Sequence, residues 1–171
     1  MTKMLCGYRV LDITQFVAGP TCSRLMAELG ADVIKVELTP IGDHARRSGL
    51  RSRKKEYANC TQSTYFAQHN HSKRSLAINI KSNKGQALIK KLIEQSDVLV
   101  ENFAPGVIGR MGLSYEEVKK INPEIIMCSI SFAGQEGPLA NEPGFDYMAA
   151  AYAGITEMIG ENDRSPSQVS M

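Results

Sequence analysis

Glu37 is the first residue whose place in the sequence suggests chemistry. It closes the run Asp32-Val33-Ile34-Lys35-Val36-Glu37, which follows an earlier run, Arg9-Val10-Leu11-Asp12-Ile13. An acid at the end of the second strand of a βαβ unit can hold the ribose hydroxyl of a dinucleotide. The three spaced glycines that should accompany it are missing, because Gly19 stands alone beside Pro20. His69-Asn70-His71 has the form of a nuclease or metal tripeptide, but no neighbouring His, Cys or acidic cluster completes a coordination shell. A loop histidine is the simpler reading, and His44 is read the same way. There is neither a G-x-S-x-G elbow nor a Walker lysine after a glycine run, which excludes a serine hydrolase and a P-loop NTPase. Cys6, Cys22, Cys60 and Cys128 form no C-x-x-C pair, as expected for reduced structural thiols rather than a disulfide framework or zinc site.

The elements that must position such groups can be read from periodicity and punctuation. Residues 9–13 predict a strand. Val17-Ala18-Gly19-Pro20 turns into a helix carrying Leu25, Met26 and Leu29 and stopped by Gly30, and a second strand follows over 32–37. Strand, helix and strand with so short a return imply a parallel pair. From 38 to 63 the periodicity disappears, leaving a basic loop in which Arg46, Arg47, Arg51, Arg53, Lys54 and Lys55 face only Asp43 and Glu56. It reads either as a solvated connection or as a surface for an anionic ligand. Strands are predicted over 75–80, 97–102 and 125–130, and a helix over 84–95. Ser114-Tyr115-Glu116-Glu117 has the form of a capping box, and 146–159 reads as a helix rich in Ala and Met.

The chain has 171 residues, 43% hydrophobic and 22% charged, with a formal net charge of +2. A chain this long can bury roughly two-thirds of its unfolded surface without a disulfide or metal staple. The charge is too small to draw the whole molecule onto nucleic acid or an anionic membrane, so any anion site must be local. Arg9 interrupts the N-terminal apolar residues. The weakly polar stretch from Tyr147 to Gly160 contains Glu157 and is too short to span a bilayer. A cytoplasmic protein with no nucleic-acid or membrane partner is expected.

Several segments in order carry a resemblance. Leu11-Asp12-Ile13-Thr14, Ala18-Gly19-Pro20 and Leu29-Gly30-Ala31-Asp32-Val33-Ile34-Lys35-Val36-Glu37 are followed by Lys73-Arg74-Ser75, residues 97–103 with Pro105-Gly106, and 111–115. Asn122-Pro123, residues 129–132, Gly134-Gln135-Glu136-Gly137-Pro138 and Gly144-Phe145-Asp146 complete the series. Together they resemble the N-terminal portion of the family III CoA-transferases, the group that includes formyl-CoA and carnitine CoA-transferases and alpha-methylacyl-CoA racemases.

The resemblance implies a doubly wound, mainly parallel α/β sheet of about five strands. It would be the incomplete N-terminal CoA-binding part of a larger domain, with the basic loop (38–63) inserted and an interlocked homodimer in the full-length protein. The implied ligands are coenzyme A as its acyl thioester and a carboxylic acid acceptor, with no metal. CoA contacts would fall on Val17, Ala18, Ile78, Lys81, Asn102, Phe103, Ala104 and Arg110, where Lys81 and Arg110 supply cations and Phe103 an apolar wall. An aspartate nucleophile that attacks the thioester is implied beyond Met171, so no catalytic residue is expected in the chain; Asp146 reads as structural or capping. Three departures matter. Leu38 replaces an arginine that lies against the nucleotide, Val17 replaces a glutamine and argues against formyl and oxalate substrates, and Phe145 replaces the acid/base histidine of the racemases.

Overall fold

The computed structural model describes residues 2–48, 63–159, 163 and 165. Five strands, β1 (Arg9–Asp12), β2 (Asp32–Leu38), β3 (Arg74–Ile78), β4 (Val98–Glu101) and β5 (Ile126–Ser129), form one sheet in the order β3-β2-β1-β4-β5. Every pairing is parallel. The helices are α1 (Ala18–Glu28), α2 (Thr64–Asn70), α3 (Asn83–Ile93), α4 (Val107–Arg110), α5 (Tyr115–Ile121) and α6 (Asp146–Tyr152).

Register explains why the central strands are apolar on both faces, as a covered parallel sheet requires. Leu11 sits between Ile34 and Leu99, and that row packs with Ile89 and Ile93 of α3 and Val118 of α5. The alternate row, Val10, Val33 and Val100, packs with Ala27 of α1 and the half-buried Cys22 and Met26. Helices therefore cover both faces, which makes the sheet doubly wound. The edges are barer: four of the five β3 residues are exposed, and Ile126 on β5 is 66% exposed.

Most expected elements form with shifted ends. α1 begins at Ala18 with Val17 as its N-cap, so Pro20 falls in the first turn, where an amide would have no intrahelical partner. Ser82 Oγ caps α3 by accepting the Gly85 N–H at 3.0 Å. Ser114 Oγ accepts the Glu117 N–H at 3.4 Å, but the Glu117 carboxylate takes Lys120 at 2.6 Å, so the expected reciprocal box is only half made. The final helix stops at Tyr152 and continues as turns around Gly154, which has φ +77°.

Three short elements fall where none was expected. A 3-10 turn, His44–Arg47, lies in the basic loop and is capped by Asp43. Helix α2 is capped by Ser63 Oγ, which accepts the Phe66 N–H, and α4 is a single turn. Seven residues carry too little apolar periodicity to announce a helix, so His69 and Asn70 lie in α2 rather than in a loop; His71 is its C-cap. Cys6, Cys22 and Cys128 are free thiols, and Cys60 lies outside the described residues. Among the described residues no helix is long and apolar enough to cross a membrane.

Candidate ligand-binding site

In this strand order the chain leaves β1 for α1 on one face of the sheet, and leaves the neighbouring β4 for α4 and α5 on the other. The two loops diverge at the carboxyl ends of the strands, and such a divergence is where open α/β sheets bind ligands. Asn102 ties the loops across that gap: its Oδ1 accepts the Gln15 N–H at 2.8 Å and its Nδ2 donates to the Gln15 carbonyl at 2.8 Å. Phe16, the next residue, holds a left-handed φ of 65°, unusual for a side chain of its size, and its N–H donates to Asp43 Oδ1 at 3.1 Å. Beyond it α1 presents its first amides, which have no partner within the helix and lie at the positive end of the helix dipole.

Beneath the β1 loop lies a buried polar network. Asp12, at the end of β1, accepts at Oδ1 from both the N–H and the hydroxyl of Thr14, at 2.9 and 2.5 Å. At Oδ2 it accepts from Ser23 Oγ (2.6 Å) and Lys73 Nζ (2.9 Å). Burial opposes its ionisation, but Lys35, Lys73 and the two hydroxyls hold its carboxyl below the usual range. Lys35, paired across the register with Asp12, donates to the Thr14 carbonyl at 2.9 Å and sits 2.9 Å from Asp43 Oδ2. Lys73 donates also to the Pro20 carbonyl (2.8 Å) and Asn70 Oδ1 (2.9 Å), so its three protons have three acceptors.

Glu37 is already occupied. Arg46 grips it with two bonds of 2.6 Å, Ser75 Oγ donates at 2.6 Å and the Asp43 N–H at 3.1 Å, which leaves no oxygen free for a ribose. Arg46 also lies over the Phe66 ring at 3.7 Å, so this residue of the basic loop is structural. Arg51, Arg53, Lys54 and Lys55 lie outside the described residues. His69 shares a 3.0 Å hydrogen bond with Thr21 Oγ1, and burial together with Arg24 and Lys73 pushes its pKa down.

The expected contact residues fall into groups. Val17, half-buried, and Ala18, exposed, stand at the start of α1; Asn102, Phe103 and Ala104 lie opposite them after β4, joined through the Gln15 bonds. Phe103 is half-buried against the core. Ile78 and Lys81 are set apart, at and just past the end of β3, on the far side of β2 from β1. The Ile78 side chain is buried in the core, whereas Lys81 is exposed. Arg110 is exposed at the end of α4, folded back so closely that a Cβ on Gly106 would lie 2.9 Å from its Nη1. Asp146 opens α6 without a side-chain capping bond. The sequence reading missed Asp12, Lys35, Asp43 and Lys73; for Asp12 and Lys35 the available signal was charge inside strands that must be covered on both faces.

Gly19 is needed for the packing of this turn. A Cβ there would overlap the Cβ of Thr14, which is buried and held by Asp12. Gly19→Ala should therefore push α1 off the end of β1 and cost about 1–3 kcal/mol by urea denaturation, the usual range for overpacking.

These features define an open, doubly wound α/β domain whose two halves diverge at the carboxyl ends of β1 and β4, beside the start of α1. The chain belongs to CoA-transferase family III, whose model matches residues 5–171. It is 43% identical over 164 residues to a succinyl-CoA:glutarate CoA-transferase of Mus musculus, covering 96% of this chain and 36% of that protein. It is 41% identical over 166 residues to a formyl-CoA:oxalate CoA-transferase of Bradyrhizobium diazoefficiens, covering 97% of this chain and 37% of that one. Among solved structures, a CAIB/BAIF family protein from Brucella suis matches with a TM-score of 0.87 and 34% identity, over 100% of this chain and 44% of that one. The chain thus spans little more than a third of the length of these curated relatives.

Proposed function

We propose that the protein moves CoA between acyl-CoA thioesters and carboxylic acids, and that this chain supplies part of the CoA-binding surface. What supports this reading is the divergence of the loops after β1 and β4, with the start of α1 on one side and the Asn102–Ala104 turn, tied to Gln15, on the other. CoA is a long ligand with a polyanionic end, and the amides of a helix start with one or two cations suit it. Val17 and Ala18 would offer backbone to it, Asn102 and Ala104 the opposite lip, and Phe103 the apolar side. Lys81 and Arg110 would serve as exposed cations, and Ile78, its side chain committed to the core, could contribute only backbone. The chemistry would be attack of an aspartate carboxylate on the thioester carbonyl, breaking the C–S bond to give a mixed anhydride and CoA thiolate. That aspartate would lie outside these 171 residues. A dicarboxylate such as succinate is a fitting partner, and cysteines with no C-x-x-C pair among them are in keeping with a cytoplasmic setting. An interlocked homodimer would cover Phe145 and Tyr152 around α6, which are 62% and 68% exposed.

Two measurements test this reading. CoA should bind the chain in calorimetric titration, and Arg110→Ala should weaken binding about tenfold, in keeping with loss of a charge-assisted contact; unchanged affinity would remove Arg110 from the site. Succinyl-CoA offered with a panel of carboxylates should show no exchange with this chain alone. Exchange that hydroxylamine abolishes by trapping an acyl-enzyme would place the nucleophile within it.

A further inference from the structure

We propose that Lys73 is a positioning residue for the ligand-binding turn: its buried ammonium fastens the end of β1, the first turn of α1 and the end of α2 to one point. The proposal rests on the CoA reading for what the turn binds, but not for the clamp itself.

Geometry carries the argument. The Lys73 side chain is 1% exposed, and its three acceptors, Asp12 Oδ2, the Pro20 carbonyl and Asn70 Oδ1, belong to β1, α1 and α2. Lys35 repeats the device one residue set away, on the Thr14 carbonyl and Asp43, and Asp43 in turn holds the Phe16 N–H. Thr14, Phe16 and Pro20 are thus all fixed by two cations and two carboxylates, and between Phe16 and Pro20 lies the start of α1. An ammonium used only to fill space would not need to collect a carbonyl from the very turn that starts α1.

The clamp also has a natural release. Burial brings the Lys73 amine down to about 8, against the pull of Asp12 and Asp43 and with repulsion from Lys35. The other titratable groups coupled to it are His69 of α2, itself pushed down, and the Cys22 thiol of α1, pushed up by burial and Cys128. Neither gains a charge that could replace the ammonium as pH rises through 8. A neutral amine has two protons for three acceptors and a weaker hold on Asp12, so the turn should loosen on the alkaline side.

The experiment follows both the turn and the ligand in the wild-type chain from about pH 7 to about pH 9.5. Amide-exchange protection is measured for Thr14, Gln15, Phe16 and Thr21 against the β4 amides, after correction for intrinsic exchange. Affinity is measured for CoA blocked at sulfur as a thioether, so that the thiol does not titrate. Expected is a fall in protection confined to the turn and a loss of affinity of about tenfold or more through pH 8, the scale of positional errors. Lys73→Met should lower affinity at every pH, and Lys73→Arg, whose cation stays charged, should restore it and abolish the pH dependence. Turn protection that stays flat to the alkaline limit overturns the proposal, even if both variants fail to fold. Failure to bind CoA at pH 7 would instead defeat the CoA reading, with the clamp still decided by the amides.

Discussion

Asp12→Ala should destabilise the chain by about 3–5 kcal/mol, the cost of leaving buried charge without its partner. The carboxylate is fully buried and accepts from four groups: the Thr14 N–H and hydroxyl, Ser23 Oγ and Lys73 Nζ. Its removal takes away the acid between two ammoniums, because Lys35 Nζ also lies 4.0 Å from Oδ1. Lys35 would retain Asp43, but Lys73 would keep only a carbonyl and an amide oxygen. Urea denaturation at pH 7 reads the loss directly. Asp12→Asn keeps the shape but puts an amide donor beside other donors, and should recover only part of the stability. A loss below about 1 kcal/mol for Asp12→Ala, the level of a solvated pair, would show that the network does not form.

The second large effect is an acid transition centred on Glu37. Burial raises its pKa, but the Arg46 fork, the Ser75 hydroxyl and the Asp43 N–H overcome that and hold it at about 2, against 4.5 for the free group. The folded-state value is the lower one, so the stabilisation is complete above about pH 4.5 and disappears as pH falls towards 2; it amounts to about 3 kcal/mol. Asp12, whose carboxyl is also held down, adds to the slope in the same direction. Urea midpoints taken in steps from pH 6 down to about pH 2.5 should stay level to about pH 4.5 and fall below it. Glu37→Gln should flatten most of that dependence. A variant as acid-sensitive as the wild type would shift the effect to other carboxylates.

The parallel sheet was legible because its signals are local and repeated. Branched runs at 9–13, 32–37 and 97–102, each bounded by turn residues, specify strands whichever partners they find, and Gly30 and Ser114 mark helix ends by backbone requirements alone. Helix α2 was not legible: its contacts with α1 are long-range, Thr21 with His69 and Arg24 with the Gln68 carbonyl, and seven residues hold too little periodicity. The candidate site was legible in its loops and not in the network beneath them. Val17, Ala18, Asn102, Phe103 and Ala104 came from motif register, and the topology brings them together at adjacent strand ends. The polar network escaped because Asp12 and Lys35 are far apart in sequence and read as ordinary charges in mixed runs. Their meaning depends on both faces of the sheet being covered, since only then must each charge find an internal partner.

The double bond from Asn102 to Gln15 has a consequence for how a ligand would be received. A side-chain amide that accepts from a backbone N–H and donates to the same residue's carbonyl imitates one rung of a sheet ladder, placed where the real ladder has ended. The two lips of the crevice are therefore riveted at the floor and keep a constant spacing before anything arrives. A ligand bridging them need not spend its binding energy on bringing two loops together, and little ordering entropy remains to be lost there.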